Sequence, residues 1–156
     1  MSRAFVNEDQ AAAQANAPVE RRVSEQPNYV TPQGLLELQA RLQQLLAQTP
    51  GENDAQRQAD LRYITQRVQS AQVIPTQNTT GKVQIGSWVT FADEHDNTQH
   101  IALVGEDQAD AAKGLINWGS PLGKALLGAK VGDEVRWQRP AGDVLIEIIE
   151  IAQQPA

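Results

Sequence analysis

The chain has 156 residues and a mass of 17.0 kDa, room for one or two small domains, and its 40 % hydrophobic content leaves part of it outside any core. A net charge of −6 and a pI near 4.8 argue against autonomous binding to duplex DNA or RNA, which needs many cations against phosphates, and favour a basic surface on a protein partner. The absence of cysteine excludes disulfides and thiolate-held metals, no apolar run approaches the ~20 residues of a membrane span, and Glu8 and Asp9 stand where a signal peptide needs an apolar core, so a soluble cytoplasmic protein without membrane contact is expected.

Residues 1–28 are rich in Ala, Gln, Asn and Glu and lack apolar periodicity. They read as a disordered tail, with room for a short helix near Ala11–Ala15. A helix is predicted over 31–48. Thr31 suits the N-cap and Pro32 the first helical position. Leu35, Leu38, Leu42 and Leu45 then form one narrow seam of coiled-coil spacing. Pro50-Gly51 breaks it. A second helix from about Asp54 to Gln72 carries a matching seam, Leu61, Ile64, Val68 and Ala71. Two such helices joined by a short turn make an antiparallel hairpin, a short coiled coil. Neither helix would be stable alone at this length.

Residues 76–82 are polar and read as a linker. From Val83 the pattern alternates as strands do. Val83–Ala92, Thr98–Val104, Gly114–Trp118, Glu134–Arg139 and Val144–Ile151 are the expected strands, with turn residues at Asp96-Asn97 and 140–143. Ser120-Pro121 opens one short helix whose Leu122, Leu126 and Leu127 point inward. The fold class is therefore α+β, a helical hairpin followed by an antiparallel sheet with one short helix. The acidity is concentrated behind the hairpin: residues 76–156 hold 6 basic and 11 acidic side chains.

Few residues frame chemistry of their own. Glu52 and Asp54 fall at the hairpin tip, where two carboxylates could contribute oxygen ligands to magnesium, or simply solvate a turn with Asp54 near a helix start. His95 and His100 match no metal-ligand spacing, and Asp93–Asn97 reads as a polar hairpin turn. No nucleophile elbow, triad or phosphate loop is present. No resident metal or cofactor is expected.

Several segments, in order and at matching spacing, resemble the Gre transcript cleavage factors. They are Gly81-Lys82-Val83, Val104-Gly105-Glu106-Asp107, Lys113-Gly114-Leu115-Ile116, the run from Ser120 to Gly128, Lys130 to Val135, Pro140 to Asp143, and Ile146 to Ile151. Tyr29 to Leu35 resembles the start of the family's first helix, and Arg67 to Ile74 the end of its second. The resemblance spans about residues 29–152. It implies an FKBP-like C-terminal domain over 83–152, the hairpin over 29–75, the linker at 76–82, and tails at 1–28 and 153–156. It also implies docking on bacterial RNA polymerase at the rim of the secondary channel, with nucleic acid met only inside the transcription complex. The Ser120 helix would be the docking element, through Gly119, Ser120, Pro121 and Lys124.

In that family, acidic residues at the tip of a long arm help hold a magnesium ion at the polymerase active site and stimulate cleavage of backtracked RNA. The catalytic centre then belongs to the polymerase, so the chain itself is expected not to be an enzyme. Two departures stand out. The arm has lost turns, and the family's Gly-Asp-x-x-Glu-Asn-Ala tip has no secure match, which implies weak or absent cleavage stimulation. Gly119 stands where the family often has Asp or Asn. The rival readings are an FKBP-like prolyl isomerase using an aromatic pocket built from Trp88, Trp118 or Trp137, and an interaction module for a partner other than polymerase.

Overall fold

In a computed structural model of the chain, residues 17–51 and 54–153 are described. The arm forms where the leucine spacing places it. Helix α1 spans Pro32–Ala47, and the Thr31 side chain caps it by accepting from the Gly34 amide. Helix α2 spans Asp54–Ser70. At ~1.5 Å per residue these helices of 16 and 17 residues are about 25 Å long. Leu38, Leu45, Tyr63 and Ile64 are buried between them, with Leu35, Leu42, Leu61, Val68 and Ala71 partly buried around them. The Arg57 guanidinium ties the two helices near the tip by donating to the Leu45 carbonyl at 3.0 Å. A two-stranded parallel ribbon closes the base: β1 (Tyr29–Val30) pairs with β2 (Gln72–Val73).

Residues 17–28 differ from the tail that composition predicts. They lie along α2. The Gln56 side chain accepts from the Val19 amide at 2.7 Å and donates to the Val19 carbonyl at 3.0 Å. Glu20 pairs with Arg62, Arg21 stacks over the Tyr63 ring at 3.9 Å, and Val23 packs against the hairpin core. The segment is held mostly by polar side chains of the helix, a mode that hydrophobic patterning does not register. The possible helix near Ala11–Ala15, Glu52, and residues 154–156 lie outside the described residues.

The second unit is a five-stranded sheet in the order β5-β4-β3-β7-β6. Its strands are β3 (Trp88–Ala92), β4 (Thr98–Val104), β5 (Leu115–Asn117), β6 (Glu134–Trp137) and β7 (Val144–Ala152). The sheet is not wholly antiparallel as expected, because β5 runs parallel to β4 after a connection through a 3-10 turn at Ala111–Lys113. Nor does the first strand start at Val83. The chain bends at Gly86, whose φ of 96° favours glycine, and Val83 instead exchanges backbone hydrogen bonds with Gly128 and Ala129. Alternate residues of β3, Val89 and Phe91, enter a core shared with Ile101, Leu103, Ile146 and Ile148. Helix α3 (Pro121–Leu126) covers this face and buries Leu122 and Leu126 in it.

Candidate docking site and arm junction

The turn before α3 is set by local hydrogen bonds. The Gly119 amide donates to Asn117 Oδ1 at 2.9 Å and the Ser120 amide to the Asn117 carbonyl at 3.0 Å. Ser120 Oγ caps the helix by accepting from the Gly123 amide at 3.1 Å, and Pro121 occupies the first turn, where it needs no donor. Gly123 is required by close approach: a Cβ there would stand 2.5 Å from the Trp118 carbonyl oxygen. Pro121 and Lys124 are exposed, while Gly119 and Ser120 are half-buried.

Beside this helix lies an apolar groove of about 480 Å³. Leu115, Ile116, Pro121, Leu122 and Trp137 line it, and Ser120 borders it. Of the four docking candidates, Ser120 and Pro121 are at this groove, and Gly119 and Lys124 are outside its lining. The three tryptophans do not converge. Trp137 meets Phe91 edge-on at 6.2 Å between ring centres, Trp118 packs on Tyr29, and Trp88 stacks on His100 at 4.9 Å. A shared aromatic pocket of the isomerase kind is therefore not assembled by them.

The acidic tip candidates fare differently from one another. Glu52 is outside the described residues. Asp54 is engaged within the first turn of α2, accepting from Arg57 at 3.1 Å and Gln58 at 3.0 Å. His95 and His100 stay apart in role. The Asn97 and His95 amides both donate to Asp93, which holds its carboxyl below the usual carboxylate range, so this segment is a turn. His100 Nδ1 lies 2.9 Å from Thr90 Oγ1. Among the described residues no group of three or more His, Asp or Glu is placed to hold a metal.

Sequence reasoning missed a second constellation, at the junction of arm and sheet. Arg67 is 2 % exposed. Its Nε donates to Asp107 Oδ2 at 2.6 Å and its Nη2 to Asn28 Oδ1 at 2.7 Å. Asn28 in turn donates to the Arg67 carbonyl at 2.8 Å, and the Tyr63 hydroxyl donates to Asp107. Burial first, then the hydrogen bond and charge of Asp107, push the Tyr63 phenol up to about 12. Thr31 Oγ1 and Gln108 Oε1 are 2.6 Å apart. The turn approaches β1 closely, since a Cβ at Gly105 would stand 2.5 Å from the Tyr29 carbonyl oxygen. The segment Val104–Asp107 thus gains a physical role: it receives the base of the arm. Both halves lie in segments that carry the family resemblance, but nothing in the periodicity of either joins Arg67 to Asp107.

The sequence profile of the family described as "Transcription elongation factor, GreA/GreB, C-term" matches residues 77–153. The β domain belongs to the GreA/GreB family. The transcription elongation factor GreA of Novosphingobium aromaticivorans is 39 % identical over 102 residues, 64 % of this chain and 65 % of that protein. GreB of Yersinia pestis is 35 % identical over 96 residues, 61 % of this chain and 56 % of that protein. The chain therefore spans less than two thirds of the length of these relatives. A GreA/GreB structure from Nitrosomonas europaea aligns with 82 % of this chain and 99 % of its own, at 23 % identity and a TM-score of 0.43.

These matches correct one expectation, that the chain is not an enzyme. The relatives are GreA and GreB, of the family that stimulates hydrolytic cleavage of the transcript, so cleavage activity belongs with the family of this domain.

Proposed function

We propose that this chain is an RNA-polymerase-associated elongation factor that docks at the polymerase secondary channel through its Gre-type domain. The observation that carries the docking reading is the apolar groove beside Ser120 and Pro121, on a domain of the GreA/GreB family. Groove and helix together offer Pro121, Leu122 and Trp137 as apolar anchors and Lys124 as a nearby charge, the composition of a compact protein-docking patch.

The arm would then stand at the channel mouth. With helices of about 25 Å its tip stops short of where a longer arm would reach, so transcript cleavage is stimulated weakly. Glu52 and Asp54, the acidic residues of the sequence between and at the start of the two helices, would be the candidates to face a magnesium ion shared with the polymerase. The test is cleavage of backtracked RNA in stalled elongation complexes. We expect a rate at least roughly tenfold below that of a long-armed GreA, about 1.4 kcal/mol of lost transition-state stabilisation, with the residue of activity reduced further by Glu52→Gln and Asp54→Asn. A rate equal to that of the long-armed factor would refute the short-arm account.

A further inference from the structure

The edge of the molecule at Gly119 is completed by another segment. A Cβ on Gly119 would overlap Gln26 Oε1 and stand 3.3 Å from Gln26 Cδ. The carboxamide of Gln26 therefore lies directly over the glycine, in the space a side chain at that position would occupy. Gln26 itself is exposed, but the chain is fixed on both sides of it. Its amide donates to Ser24 Oγ at 3.1 Å. Two residues on, Asn28 is buried and bonded to Arg67, and the Tyr29 ring packs on Trp118 with centres 5.2 Å apart.

The polar inventory at this edge is short. Gly119 has no side chain, Pro121 has no amide hydrogen, and the Ser120 hydroxyl accepts the Gly123 amide as a helix cap. A carboxamide adds two N–H donors and an acceptor at one point. Such a group suits the backbone or polar side chains of a protein surface better than a site of single charge.

We propose that Gln26 is a contact residue of the docking surface, supplying to the Gly119–Lys124 edge the polar side chain that Gly119 lacks. The inference rests on the docking reading above. It makes the N-terminal segment part of the recognition surface and ties that surface, through Asn28 and Arg67, to the base of the arm.

The test is equilibrium binding of the full chain to core RNA polymerase for the wild type, Gln26→Ala, Gly119→Ala and the double variant. Loss of one interfacial hydrogen bond predicts that Gln26→Ala weakens binding roughly three- to tenfold. Gly119→Ala, whose methyl displaces the carboxamide, should weaken it comparably, and the double variant should be no weaker than either single one. The thermal midpoint of Gln26→Ala should match the wild type, because the side chain is exposed and its removal opens no cavity. Unchanged affinity in Gln26→Ala, or losses that simply add, would overturn the assignment while leaving the docking reading intact. Failure of the wild type to bind would overturn both.

Discussion

Arg67 is the largest fully buried side chain among the described residues, and it is charged. A buried ion pair adds little net stability when both partners are present, but removing one partner strands the other. Here the group left behind is Asp107, whose side chain is 9 % exposed and which would keep only the Tyr63 hydroxyl and the more distant Arg21, 3.8 Å away. Arg67→Met keeps the volume and removes the charge. It is expected to destabilise the chain by about 3–5 kcal/mol in chemical denaturation, far more than an exposed Arg→Met change. A loss under about 1 kcal/mol would show that Arg21 and Tyr63 suffice to hold Asp107 without Arg67. Tyr63 extends the same network into pH dependence. Its phenol rises from 10.0 to about 12 in the folded chain, so the folded state holds the proton more tightly than the unfolded state does. Its contribution is complete below pH 10 and fades as pH rises from 10.0 toward about 12. Stability measured across that window should fall, and Tyr63→Phe should flatten the fall. An unchanged slope in the variant would assign the loss to other groups.

Among the elements, the arm was legible because its leucines repeat at coiled-coil spacing and Thr31-Pro32 marks its start. What escaped the pattern in α2 was the burial of Tyr63 and Arg67 beside the seam of Leu61, Ile64, Val68 and Ala71. Apolar periodicity cannot see a position whose burial is offset by a distant carboxylate. The same limit hid the segment 17–28, which is anchored by Gln56, Arg62 and Tyr63 rather than by a core of its own. Deleting residues 1–23 removes those contacts and the Val23 packing. We expect a loss of about 1–3 kcal/mol and faster amide exchange in α2 than in β3. Equal exchange in both elements would mean that the segment does not support the arm. In the sheet, alternation located most strands, but the parallel placement of β5 depends on the 3-10 turn at Ala111–Lys113, a tertiary choice that alternation does not encode. Of the docking edge, Ser120-Pro121 was readable as a helix start, whereas the approach of Gln26 to Gly119, across more than ninety positions of sequence, was not.

At the scale of the whole molecule, a Gre-type β domain carries a short arm, and the polar junction around Arg67 and Asp107 joins the two. Most of the negative charge lies in residues 76–156, which suits a basic rather than a nucleic-acid partner. The measurement that bears most directly on this account is binding of the purified chain to core RNA polymerase with a full-length GreA as competitor. The account predicts saturable binding that the competitor abolishes, and that weakens when Pro121 and Lys124 are changed. Binding that persists beside a saturating full-length factor, or no binding at all, would contradict it.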